Sequence, residues 1–164
     1  TLTQVESFVI EKPDSALIVL EQIDISELSS KEERAKHALL LSMALDKNYV
    51  DKTDFNVLQP AIDYYEDNGS ATEKFQTYYL QGRIYQNRGN DTQAVIAYAQ
   101  AKELLGGIDN HYLSGRLHTE IGNIYRSNYD YAKSLEAYQT AYDHYMAVGL
   151  ESYAAYALLA IGLS

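Results

Sequence analysis

The sequence predicts an all-α fold, an array of about nine antiparallel helices joined by short turns, and three observations predict it. Apolar residues recur three and four apart along nearly the whole chain, whereas the alternation of a strand is nowhere sustained. Only 2 prolines interrupt 164 residues, so long helices are permitted. A pattern of glycine, aromatic and alanine positions also returns at even intervals, marked by Gly82, Gly122 and Gly162, and a fixed period is the signature of a repeat protein.

The first helix runs from about Leu2 to Ile10, with Leu2, Val5, Phe8 and Val9 on one face. The second opens at Pro13, which suits a first helical turn, with Asp14 at the positive end of the dipole. Ala16, Leu17, Leu20 and Ile23 give it a buried stripe, and Asp24 to Ser29 is a loop. Ser30-Lys-Glu-Glu33 fits a capping box, in which serine oxygen and glutamate carboxylate each satisfy a backbone amide, and a long third helix follows to Lys47. Asp54 caps a fourth helix to Asp67, which Asn68-Gly69 stops and Pro60 kinks or delays.

Ser70-Ala-Thr-Glu73 is a second capping box and opens a fifth helix to Arg88-Gly89. Asp91 starts a sixth, closed by Gly106-Gly107, and Asp109 or Asn110 starts a seventh reaching Ser127. Asp130 starts an eighth to about Val148, and Gly149 sets off a ninth that runs to the C terminus. These helices pair as hairpins 2–23, 30–67, 70–105 and 109–148, with 150–163 unpaired, in a single solenoid domain.

Tyr78-Tyr-Leu-Gln-Gly82-Arg-Ile-Tyr85, followed by Ala94, Tyr98 and Ala101, has the order aromatic, Gly, Tyr, Ala, aromatic, Ala. It returns as His118, Ile121, Gly122 and Tyr125, then Ser134, Tyr138 and Ala141, and begins again at Leu158, Ile161 and Gly162. Upstream, Ala61 with Tyr65 and Ala16 with Leu20 stand at second-helix positions, while Pro60 and the lack of a glycine in Glu32 to Lys47 depart from the pattern. Glycine and alanine let paired helices approach while aromatics fill the gaps between turns. That accounts for 16 tyrosines without an aromatic ligand box.

These residues resemble the tetratricopeptide repeat, at a period slightly longer than that family's. The resemblance implies a right-handed α-α superhelix that holds a protein or peptide in a groove and catalyses nothing. Pro13-Asp-Ser-Ala-Leu17, Ala38-Leu-Leu-Leu41 and Tyr64-Tyr65 also look like bacterial proteins in which such repeats form an envelope lipoprotein or the sensor of a membrane-linked transcription regulator. This second resemblance implies a ligand-sensing module as the alternative function, and a cell-envelope or periplasmic location over a cytoplasmic one.

Composition narrows the partners. A formal net charge of −10 repels phosphate backbones, which argues against direct nucleic-acid binding. The absence of cysteine excludes disulfides, thiolate catalysis and thiolate metal sites. The longest apolar stretch, Tyr153 to Leu163, is short of the roughly 20 residues that span a bilayer. The chain opens at Thr1 without an initiator Met or a basic-then-apolar leader, which suits a mature or trimmed piece of a longer protein.

His37, His111, His118 and His144 show no zinc-helix spacing, and phosphate loops, nucleophile elbows and calcium loops are missing. Neither metal, cofactor nor catalysis is expected. The resemblance instead places Gln76, Tyr79, Arg83, Gln86 and Asn87 from one repeat, and Arg116, Thr119, Asn123 and Arg126 from the next, on the concave face. They lie opposite Gly82, Tyr85, Gly122 and Tyr125, so they should be exposed or bind.

Three of the chain's five arginines are in that set, and guanidinium groups pair well with carboxylates. The expected partner is an extended peptide with acidic side chains or a free C-terminal carboxylate, its backbone held by Asn123. The alternative is that these arginines only pair with acids of neighbouring helices. The third helix offers Ala35, Ala38 and Ser42 at the corresponding positions, so that part of the groove reads as bland. Leu158, Leu159, Ile161 and Leu163 form an apolar surface that further chain or a second copy would cover, giving a homodimer in the latter case.

Overall fold

The computed structural model describes residues 1–162. Along them run α1 (Leu2–Phe8), α2 (Pro13–Gln22), α3 (Lys31–Lys47), α4 (Gln59–Tyr65), α5 (Ala71–Asn87), α6 (Asp91–Leu104), α7 (His111–Ser127), α8 (Tyr131–Ala147) and α9 (Glu151–Gly162). No strand occurs among the described residues. Pairs α2/α3, α3/α4, α5/α6 and α7/α8 pack as consecutive neighbours, and α6 on α7 and α8 on α9 join one hairpin to the next. Leu163, assigned to the last apolar surface, lies outside the described residues; Leu158 and Leu159 on α9 are exposed.

Helix starts follow the side chains that can cap them. The Ser70–Glu73 capping box is complete, with Ser70 Oγ accepting from the Glu73 amide at 3.2 Å and the Glu73 carboxylate accepting from the Ser70 amide at 2.9 Å. At α3 only half forms: Ser30 Oγ accepts from Glu33 N, but the Glu33 carboxylate reaches back to Ser29. Asn90, Asn110 and Asp130 cap α6, α7 and α8, so the sixth cap is Asn90 and Asp91 lies in the first turn. The fourth helix starts at Gln59, not near Asp54. Pro60 lacks an amide proton, a defect tolerated in a first turn, so it delays the helix instead of kinking it. The first helix ends at Phe8.

The period is 40 residues. Gly82 and Gly122 are that far apart, and so are three residues that turn the chain out of α3, α5 and α7 at positive φ: Tyr49 (60°), Gly89 (81°) and Tyr129 (64°). A non-glycine residue there costs about 1 kcal/mol, and the residue just before each one fastens the turn to an earlier part of the chain. Asn48 Nδ2 donates to Pro13 O at 2.9 Å, Arg88 Nε to Thr53 O at 2.9 Å, and Asn128 Nδ2 to Asp91 Oδ2 at 2.8 Å.

The core is continuous with this repeat. Leu39, Leu58, Phe75, Tyr98 and Leu117 are buried in its central part; Val5, Leu20 and Leu40 join α1, α2 and α3; Tyr145, Ala154 and Ala157 join α8 to α9. The expected close approach occurs at Gly82 and Gly122, where a Cβ would sit 2.3 Å from Tyr98 and 2.7 Å from Tyr138. It occurs also at Gly115, 2.3 Å from Tyr145, a contact that the sequence pattern did not single out.

Candidate functional site

Three core tyrosines of α6 and α8, Tyr98, Tyr138 and Tyr145, pass beneath Gly82, Gly122 and Gly115 and deliver their hydroxyls to the inner face of α5 and α7. Tyr98 donates to Gln86 Oε1 at 2.7 Å, Tyr138 donates to Asn123 Oδ1 at 2.5 Å, and the Tyr145 hydroxyl lies 3.4 Å from that of Thr119. A buried phenol needs such a partner. Gln86, Asn123 and Thr119 therefore do structural work that a surface reading of them did not foresee.

The arginines are engaged as well. Arg83 Nε donates to Asp46 of α3 at 2.9 Å, and its Nη1 donates to Glu120 of α7 at 3.1 Å, so one guanidinium joins three successive repeats. Burial pulls that guanidinium toward neutrality, but the Glu120 and Asp46 carboxylates more than offset it and hold it above the usual arginine range. Arg116 differs. Its one ion pair among the described residues is to Asp46 at a loose 3.8 Å.

None of the nine predicted site residues is exposed; Tyr79 and Thr119 are buried and the rest half-buried. Asn87 donates to Lys52 O at 3.1 Å, Arg126 lies 5.6 Å over the Tyr138 ring, and Gln76 lines a small recess beside Tyr79 and Arg116. Asn123 also donates to Glu120 at 3.3 Å. The expectation that this face is either exposed or ligand-bound is thus corrected: helix-to-helix pairing occupies much of it.

The reading of α3 as bland is corrected too. In the 40-residue register Ser42 stands at the glycine position, and Gln76, Tyr79, Arg83, Gln86 and Asn87 correspond to Lys36, Leu39, Met43, Asp46 and Lys47. Ala35, Ala38 and Ser42 are buried, one residue out of that register. Lys36 bridges Glu6 of α1 and Glu73 of α5, and Lys47 reaches Tyr112 and Tyr153. Glu120 was legible as an anomaly, because it places a carboxylate where the preceding repeat has the buried Leu80.

A pocket of about 380 Å³ remains open on this face, lined by Asp46, Tyr49, Arg116, Asn123, Tyr153 and Tyr156 among others. Its cations and carboxylates come from α3, α5 and α7 and its aromatic wall from Tyr49, from Tyr145 of α8 and from Tyr153 and Tyr156 of α9. Beside it the Tyr79 hydroxyl is buried without a hydrogen bond among the described residues.

Away from this face, three histidines gather between α7 and α8. The Nδ1 atoms of His111 and His144 are 2.9 Å apart, the His118 and His144 rings stack at 5.9 Å, and His118 Nδ1 donates to Ser114 O at 2.8 Å. Burial, and then the neighbouring His111, push His144 down against the pull of Asp143; burial, with Lys102 and His144 adding, pushes His118 down against its bond to Ser114. The unfolded chain then binds these protons first, so stability is complete above about pH 6.5 and falls as pH drops below it. The urea midpoint is expected to be lower at pH 5.5 than at pH 7.5, and a His118→Gln/His144→Gln chain should show a smaller difference. Among the described residues no three His, Cys, Asp or Glu side chains are placed to hold a metal ion, and no helix is long and apolar enough to cross a membrane.

A stacked array of helical hairpins with polar side chains converging on its inner face defines a helical-repeat scaffold of the kind that binds proteins. The family model for SNAP, the soluble NSF attachment proteins, matches residues 56–161, more than half of the chain, and the chain belongs to that family. No curated protein and no solved structure matches it. The sequence pattern pointed to tetratricopeptide repeats; the helical superhelix it implied stands, and the family shown is the attachment proteins, with nothing in the match pointing to envelope lipoproteins or transcription regulators.

Proposed function

We propose that the chain is a non-catalytic adaptor that seats an acidic segment or a free C-terminal carboxylate of a partner protein in the inner-face pocket, with Arg116 as the principal contact. The family's name describes attachment of one protein to another, which supports the adaptor role. The observation that carries the site is the contrast between the two arginines. Arg83 is held at 2.9 Å and 3.1 Å by two carboxylates, whereas Arg116 faces the pocket with only a 3.8 Å neighbour.

The pocket is also less acidic than the chain as a whole. Its lining balances Arg83 and Arg116 against Asp46 and Glu120 in a protein of net charge −10, and Lys47 borders it through Tyr153. A carboxylate docked on Arg116 would gain a charge-assisted fork, with tyrosine hydroxyls nearby to share it. Asn123 is already engaged through both ends of its amide, so backbone pairing to it requires exchange of the 3.3 Å bond to Glu120.

The test is fluorescence anisotropy with a labelled Glu-Leu hexapeptide, free or amidated at its C terminus. Arg116→Gln is expected to weaken binding of the free peptide about tenfold or more, equivalent to roughly 1.4 kcal/mol, while changing stability little. Loss of affinity on amidation alone would assign the carboxylate to the chain end; indifference to amidation would assign it to side chains. Equal binding by Arg116→Gln would reject the site.

A further inference from the structure

The inner face is bridged by one side chain that spans most of the chain. Lys47, the last residue of α3, donates to Tyr112 Oη of α7 at 2.9 Å and to Tyr153 Oη of α9 at 3.0 Å, across 65 and 106 residues of sequence. Its ammonium lies 5.3 Å and 5.6 Å from the centroids of the same two rings, which meet edge to face at 5.5 Å. Burial disfavours the ammonium, and the two phenol oxygens more than restore it.

Neither α7 nor α9 is among the main packing partners of α3. Helix α3 packs chiefly on α2 and α4, with a smaller contact to α5, and α9 packs on α8. Within the bridge α3 meets α9 through the ammonium of Lys47, and two phenols are exchangeable partners for an ammonium that a carboxylate would satisfy better. Tyr153 also lines the 380 Å³ pocket, as does Asp46, the neighbour of Lys47. The bridge therefore borders the opening of that pocket.

We propose that Lys47 is a latch: bonded to Tyr112 and Tyr153 it holds the superhelix closed, and its release lets the ends of α3 and α9 part and widens the inner-face pocket. The closed state is a property of the chain alone. Its consequence for binding rests on the inner-face reading above: an entering carboxylate competes with the phenols for Lys47, so closure reduces the apparent affinity by the fraction of chain that is open.

The chain has no cysteine, so spin labels can be placed cleanly at Asp51→Cys and Ala155→Cys, both exposed, beyond the end of α3 and on α9. Double electron–electron resonance on the full chain, without any peptide, is expected to give a narrow distance distribution. Lys47→Met keeps most of the apolar stem and removes the ammonium; it should lengthen the mean by more than about 2 Å and broaden the distribution. Tyr153→Phe, the milder change, should shift it in the same direction.

An unchanged distribution in both variants would overturn the latch, whatever the peptide does. In the binding assay Tyr112→Phe, which loosens the latch but keeps the Lys47 ammonium for the carboxylate, should hold the Glu-Leu peptide several-fold tighter than the native chain. If the distance lengthens and neither chain binds the peptide, the latch stands and the proposed ligand falls; if the peptide binds and the distance is fixed, the reverse holds.

Discussion

Arg83→Met is expected to lower the unfolding free energy by about 3 kcal/mol, the usual cost of removing one partner from a buried ion pair. The substitution leaves the carboxylates of Asp46 and Glu120, each with a side chain only 9% exposed, facing one another across a space that Arg116 fills loosely. Loss of the Tyr98-linked Gln86 contact adds to it. The double variant Arg83→Met/Glu120→Met should recover part of the loss, because an apolar pair of similar volume leaves fewer unmatched charges. Urea unfolding of the three chains measures this, and a loss under about 1 kcal/mol for Arg83→Met would show that the network is dispensable. The result also bears on design: charge reversal at Arg83 would report collapse of the inner face, so binding is better probed at Arg116.

How much of this was legible depends on whether the signal was local. Caps are local, and Ser70, Asn110 and Asp130 were readable because a short side chain must meet an amide three residues on. The glycine–tyrosine contacts were readable at Gly82 and Gly122 because the repeat places small and large residues at fixed positions on facing helices. The inner face was not readable to the same depth, since it is assembled across repeats. A register error of one residue hid Asp46 and Lys47, and on a helix one residue is a rotation of about 100°, enough to exchange a buried side for the inner one. The histidine cluster joins positions 33 residues apart, a distance that no short motif covers.

The second large effect is expected at Gly115. In an exposed helix, glycine to alanine stabilises by about 1 kcal/mol, so Gly115→Ala read from propensity alone would improve the chain. The structure reverses that sign. A Cβ at Gly115 would lie 2.3 Å, 2.6 Å and 2.7 Å from Cε1, Cζ and Cδ1 of Tyr145, whose ring is 1% exposed and walled in by Tyr153 and Thr119. The ring can yield only by parting α7 from α8, and overpacking of this kind costs about 3 kcal/mol, for a net loss of about 2 kcal/mol.

Two controls separate close approach from other glycine effects. Gly106→Ala meets nothing within 4 Å at an ordinary φ and should be neutral within about 0.5 kcal/mol. Gly149→Ala also meets nothing, but at φ +71° it should cost about 1 kcal/mol through backbone strain alone. The deciding comparison is Gly115→Ala/Tyr145→Leu: a smaller side chain opposite the new methyl should make the double variant lose at least about 1 kcal/mol less than the two single losses together. Additive losses would mean that the ring and the glycine do not share the space, and the short spacing of α7 and α8 would need another cause.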